Sequence, residues 1–155
     1  MEQRLDYKKE SPGAFQAMLA LEGYVRKSAL EHSLLELVKT RVSQINGCAH
    51  CLDMHSRDAR AAGESEQRLY LLSAWRETTL YSARERAALA WAEAVTQLGP
   101  HGVADDIYEA LCQQFSAKEV VDLTLATIAI NGWNRLAIPF RVPVGDGRSS
   151  RPTAA

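Results

Sequence analysis

The sequence predicts an all-α protein, a single-domain helical bundle of about seven helices, on three observations. Apolar residues recur at a period near 3.6 through most of the 155 residues. Two Ser-x-x-Glu capping boxes, Ser82-Ala83-Arg84-Glu85 and Ser116-Ala117-Lys118-Glu119, announce helix starts. No stretch alternates apolar and polar residues for long enough to make a convincing strand, and the loops between periodic segments are short.

Taken in order, Ser11 caps a first helix with Pro12 at its first position, and Phe15, Met18, Leu19 and Val25 carry it to about Lys27. From about Ala29 to Asn46, Leu30, Leu34, Leu37, Val38, Val42 and Ile45 form one apolar stripe, which Asn46-Gly47 ends. Glu36 lies opposite that stripe, a position that by itself says solvent. Its neighbours Ala29, Ser33, Thr40 and Ser43 are small and uncharged, which permits another element to pack there with Glu36 buried or half-buried. The third helix runs from Cys48 to about Ala62, with Gly63 as its left-handed stop. Ser65 caps a fourth, to about Trp75, and a connection from Arg76 to Tyr81 follows. The box at Ser82 opens a fifth with Ala88, Leu89, Trp91, Ala92 and Val95, which stops before Gly99-Pro100. A sixth spans about Ala104 to Phe115, and the box at Ser116 opens a seventh reaching about Ala137, with Pro139 just ahead. Residues 1–140 form the domain. Residues 141–155, with Pro143, Gly145, Gly147 and Ser149-Ser150, read as an irregular tail.

A chain of this length buries a substantial core without a disulfide framework or a structural metal. The net charge of -1, with both signs mixed along the chain, offers no basic stripe to phosphates, so nucleic acid is not an expected ligand. The start, from Met1 to Asp6, has no apolar segment of the secretory kind, and the expected location is the cytoplasm, where thiols are kept reduced. The apolar run from Val120 to Ile138 is interrupted by Asp122, Asn131, Asn134 and Arg135, which suits a core helix and not a membrane span. Of three cysteines, two are close together, and Cys112, beside Leu111 in a helical pattern, is expected to be core packing. The tryptophans Trp75, Trp91 and Trp133 are expected in the core as well.

The chemistry is concentrated in Asn46-Gly47-Cys48-Ala49-His50-Cys51-Leu52-Asp53-Met54-His55. With a helix starting near Cys48, Cys48, Cys51 and His55 stand at i, i+3 and i+7 on one face, whereas His50 points elsewhere. The first turn of a helix carries unpaired amides and the positive end of the macrodipole, both of which favour thiolate over thiol. An imidazole one turn away takes the proton or holds the thiolate.

Three readings compete for these four residues. A zinc site has suitable ligand types, but His50 points away and Cys48 and His55 are separated by two turns, roughly 10 Å. No second CxxC or HxxxH completes a tetrahedral set. A structural reading makes them packed thiols with histidines nearby. A redox pair is the third reading, and here it lacks the βαβ context of thioredoxin-like proteins.

The spacing of Glu36, Cys48-Ala49-His50-Cys51 and His55 resembles the signature of the AhpD-like alkylhydroperoxidases in the carboxymuconolactone decarboxylase superfamily. The likeness extends to the preceding helix, to Ala61-Ala62-Gly63, to the helix from Arg84 to Thr96 and to Ile130-Asn131-Gly132-Trp133-Asn134-Arg135. The resemblance implies a peroxidase for organic hydroperoxides that uses no haem, flavin or metal, and so no cofactor beyond an external dithiol donor. By likeness Cys51 is the peroxidatic thiol, Cys48 resolves it into a Cys48-Cys51 disulfide, and His55 helps to deprotonate Cys51. Glu36 and His50 complete a proton relay through ordered water. The resemblance also implies a homo-oligomer, a trimer or a hexamer. Other branches are lactone decarboxylases, which do not depend on a CxxC pair, so the intact pair favours the peroxidase. A general disulfide oxidoreductase and a non-enzymatic redox sensor are the alternatives.

Overall fold

The computed structural model describes residues 2–145. Eight α-helices follow one another: α1 (Tyr7–Glu10), α2 (Pro12–Arg26), α3 (His32–Asn46), α4 (Ala49–Ala61), α5 (Glu66–Leu71), α6 (Ala83–Thr96), α7 (Asp105–Cys112) and α8 (Ala117–Phe140). A 3-10 helix, Leu72–Glu77, continues α5. Among the described residues there is no strand, only an isolated bridge between Gly99 and Gly102. No helix among them is long and apolar enough to cross a membrane.

The all-α expectation holds, with differences of detail that have local causes. α1 is a single turn without a buried residue, and its only signal is Asp6, whose carboxylate accepts the amides of Lys8 and Lys9. The fourth helix does not reach Trp75 as α-helix: it tightens to 3-10 after Leu71, with Ala74 off helical geometry at φ -114°. α8 runs past Ala137 to Phe140 and takes Pro139 into its last turn. Both capping boxes are formed, Ser82 with Glu85 and Ser116 with Glu119. The tail expected after Phe140 is irregular over residues 141–145, and its remainder, residues 146–155, lies outside the described residues.

α3 is the axis of the bundle. It packs on α4, α6 and α8, while α2 covers α8 and α7 sits on α6. Leu34, Leu35, Val38 and Val42 join Val25, Leu123, Ala126 and Ile130 in the main core. Leu37 turns the other way, into a second cluster with Leu69, Leu72, Trp75, Tyr81 and Leu89. Every residue of α3 from 34 to 40 is therefore buried, including Glu36, Lys39 and Thr40. A helix wrapped on all sides cannot keep a solvent face, and of the two readings of Glu36 this overturns the exposed one and bears out the buried one that its small neighbours permit. Cys112 is corrected too: it is exposed, at the end of the eight-residue α7, where Leu111 alone is buried.

Candidate active site

The hairpin of α3 and α4 builds the site from one turn. Gly47, at φ 70°, ends α3: its amide donates to the Gln44 carbonyl at 3.3 Å, and that of Cys48 donates to the Ser43 carbonyl at 3.0 Å. Cys48 is also the N-cap of α4, accepting the Cys51 amide on its sulfur at 3.4 Å. One residue closes the first helix and opens the second, and it sets both sulfurs at the amide-rich positive end of α4. Cys48 and Cys51 are paired as a disulfide with a Cα–Cα distance of 5.4 Å, and both are buried.

Two turns along α4, His55 Nδ1 lies 2.9 Å from Glu36 Oε2. A carboxylate accepts, so Nδ1 donates and Nε2 is left as the free nitrogen. Because Ser43 is level with Cys48 and Glu36 with His55, Thr40 and Cys51 are level with each other midway. Thr40 is 1% exposed, and its hydroxyl has no hydrogen-bond partner among the described residues. The other Glu36 oxygen is 3.7 Å from His32 Nε2. Burial pushes the Glu36 carboxyl up, and the hydrogen bond from His55 with the charges of His55, Lys39 and His32 outweighs it, so the net shift is downward. Lys39 is itself buried and paired with Glu22, whose second oxygen accepts the Trp133 indole N–H at 3.3 Å.

These groups border a cavity of about 310 Å³. Glu36, His50, Cys51 and His55 all line it, and Cys48 is not among the lining residues. Tyr7, Phe15 and Trp133 form an aromatic wall, with successive ring centroids 6.2 and 6.0 Å apart. Arg26, His32 and Asp58 also line it. Phe15 and Arg26 lie three turns apart on α2, roughly 16 Å, so the cavity is elongated, with the aromatic wall and Lys8 towards one end and Arg26 towards the other. His50 was expected to point away from the other three residues. It reaches the same cavity, but its Nδ1 is 2.6 Å from the Pro143 carbonyl and touches neither Glu36 nor His55. Among the described residues no group of three or more His, Cys, Asp or Glu is arranged to hold a metal ion.

The Asn131-to-Arg135 segment of α8 holds the hairpin turn. Asn46 Nδ2 donates to Asn131 Oδ1 at 3.0 Å and to Asn134 Oδ1 at 2.9 Å, and Asn134 Nδ2 donates to Ser43 Oγ at 3.2 Å. Sequence reasoning missed His32, although its i, i+4 spacing to Glu36 is a readable signal. It also missed Tyr7 and Pro143, which no local pattern ties to α4.

The model for the carboxymuconolactone decarboxylase family matches residues 12–94, more than half of the chain. The chain belongs to that family. A relative from Bacillus subtilis, the uncharacterized protein YdfG, is 42% identical over 138 residues, 89% of this chain and 94% of its own length. A crystal structure from Agrobacterium tumefaciens, of a protein of unknown function described as a candidate AhpD antioxidant defence protein, matches with a TM-score of 0.90 and 48% identity, covering 93% of this chain and 99% of that one. The fold of this family member is thus AhpD-like. The debrominase Bmp8, solved with 2,3,4-tribromopyrrole, shares the fold with a TM-score of 0.79 at 16% identity, over 90% of this chain and 74% of its own. Tyr7 and Trp133, which help wall the cavity of this carboxymuconolactone decarboxylase family member, lie outside the matched segment.

Proposed function

We propose that the protein is a thiol peroxidase that reduces organic hydroperoxides by a Cys51/Cys48 dithiol–disulfide cycle. The observation that carries the reading is the His55–Glu36 hydrogen bond one helical turn from Cys51, with Cys51 and not Cys48 lining the same cavity, which is large enough for a small organic molecule. His55 Nε2 takes the Cys51 proton while Glu36 holds the ring through Nδ1. The thiolate attacks the terminal peroxide oxygen, the O–O bond breaks, and His55 returns the proton to the departing alkoxide. The products are an alcohol and a Cys51 sulfenic acid. Cys48 then attacks that sulfur, releasing water and forming the disulfide. An external dithiol supplies two electrons and two protons to restore both thiols, and the cycle as written uses no haem, flavin or metal.

The test is free-thiol counting and intact mass after one equivalent of cumene hydroperoxide is added to the reduced protein. Two thiols are lost in wild type; Cys48→Ser stops at a trapped sulfenic acid, and Cys51→Ser abolishes turnover. Full activity in Cys51→Ser sinks the reading. The lactone decarboxylase alternative does not use the paired cysteines, and lactone consumption distinguishes it. Disulfide formation without donor-supported turnover, accompanied by a change of assembly, marks a redox sensor instead. The homo-oligomer belongs to the same reading: Leu19 on α2 and Val121 and Ile128 on α8 are exposed apolar side chains of the kind an assembly covers. Sedimentation is expected to return a trimer or a hexamer.

A further inference from the structure

The segment after α8 runs over the face of α4 that carries His50, Asp53 and Arg57, positions i, i+3 and i+7 of one helix. Arg141, at φ 54°, turns the chain out of α8, and the Val142 amide donates back to the Ala137 carbonyl at 3.0 Å. The Val142 side chain packs on the main core. The Pro143 carbonyl then meets His50 Nδ1 at 2.6 Å. Gly145 lies so close to the Asp53–Arg57 pair that a Cβ there would stand 3.1 Å from Arg57 Nη2. The segment is anchored at Val142 before its contact with His50 and passes close over the Asp53–Arg57 pair after it.

We propose that this strap fixes the tautomer of His50 and so makes His50 Nε2 the hydrogen-bond acceptor that orients the hydroperoxide. The first half stands on geometry alone. A carbonyl oxygen only accepts, so the short contact requires the proton on Nδ1, and in the neutral ring Nε2 then carries the lone pair. Free histidine prefers the opposite arrangement, and one ordinary hydrogen bond is enough to shift a tautomer ratio by about five- to tenfold. Nε2 has no partner among the described residues, and His50 lines the cavity beside Cys51. The second half rests on the peroxidase reading. A hydroperoxide has one O–H, on the oxygen that the Cys51 thiolate attacks. An acceptor there turns that oxygen towards the sulfur, and the hydrogen stays on it in the sulfenic acid. His50 is then a positioning residue that neither gains nor loses a proton. The proton for the leaving alkoxide comes from His55, a division of labour different from the shared Glu36–His50 relay that family likeness implies.

The experiment uses full-length protein labelled with 15N in its histidines, at a pH where the ring is neutral, with His50 assigned by the signals lost in His50→Gln. Two-bond proton–nitrogen correlations are expected to show Nδ1 protonated and Nε2 bare. A Val142→Gly/Pro143→Gly double variant, which loosens the strap without touching α4, is expected to move the pattern towards the Nε2–H form. Its kcat/KM for cumene hydroperoxide is expected to fall about fivefold, the worth of one hydrogen bond. His50→Gln keeps an acceptor where Nε2 stood and is expected to retain more activity than His50→Asn, which keeps only the donor to Pro143. A protonated Nε2 in wild type overturns the strap's role, even if peroxide turnover is intact. Full activity in His50→Asn overturns the acceptor role and leaves His50 merely holding the strap. Absence of hydroperoxide consumption by wild type overturns the peroxidase reading and the acceptor role with it, while the tautomer result decides the strap on its own.

Discussion

Glu36 concentrates the chemistry of the site in one carboxylate. It is buried, it faces His55 and His32, and its ionised form is held by those neighbours against the pull of burial. Glu36→Gln keeps the size and an acceptor oxygen but removes the charge that orients and supports His55. Peroxide-driven disulfide formation in that variant is expected to slow by about a hundredfold, the low end of general acid–base contributions, and stopped-flow thiol loss checks it. Thr40 makes a separate case. Its hydroxyl is buried without a hydrogen-bond partner among the described residues, level with Cys51, so Thr40→Val is expected to leave thermal stability unchanged or raise it by about 1 kcal/mol. The small neighbours of Glu36 permitted its burial without deciding it. A glutamate opposite an apolar stripe looks the same on a surface helix as on a central one, and only the wrapping of α3 by α4, α6 and α8 tells them apart. Cys112 failed in the opposite direction, because α7 is short and turns only Leu111 inward.

Helix starts were the most legible feature, because a cap is a local bargain between a hydroxyl or carboxylate and amides three residues on. Ser82 and Ser116 each open a helix where the sequence places it. Ends were harder to read: Pro139 was expected to stop α8, yet it sits within the last turn. The tightening of α5 into 3-10 has no local sequence signal that we identify. The match to Asn131-Gly132-Trp133-Asn134-Arg135 was visible, but what the segment does was not, because its partners Asn46 and Ser43 are some ninety residues earlier. The structure makes it the clamp on the cysteine turn. Asn134→Ala strips the Asn46 amide and the Ser43 hydroxyl of a buried partner and is expected to cost about 1–3 kcal/mol. Urea unfolding measures it. Gly132 allows α2 close approach, since a Cβ there would meet Met18 Cε at 2.8 Å. Met18 is flexible at that end, so Gly132→Ala is expected to be tolerated with a loss of about 1 kcal/mol.

Across the molecule, charged side chains tie together helices that the apolar core has already brought close. Glu93 on α6 accepts the Trp75 indole N–H at 2.9 Å and Arg41 Nε at 2.6 Å, and also pairs with Arg76. Arg84 joins Glu31 before α3 to Glu119 at the head of α8. Burial raises the Glu93 carboxyl, and its hydrogen bonds from Trp75, Arg41 and Arg76 bring it below the usual value. The Ser116 backbone, Arg84 and the Ser116 hydroxyl lower Glu119 to about 2. Glu36 is lowered as well. A carboxylate depressed by folding contributes stability that is complete above its unfolded value and is lost as pH falls through its folded one. Stability is therefore expected to be flat in this respect above about pH 4.5, the ordinary glutamate value, and to decline from there towards pH 2. Thermal melts across that range check it.

Cys48 is at once the last link of α3 and the first of α4, so making or breaking its bond to Cys51 is also a change in how two helices are joined. The disulfide spans only three residues and restrains little of an unfolded chain, so a difference in stability between the oxidised and reduced proteins reports chiefly on the folded state. By the closure of a thermodynamic cycle, the gap between the unfolding free energies of the two forms equals the bias folding imposes on the couple, in sign and in size. A calorimeter, with no electrode in the cell, reads how strongly this fold wants electrons.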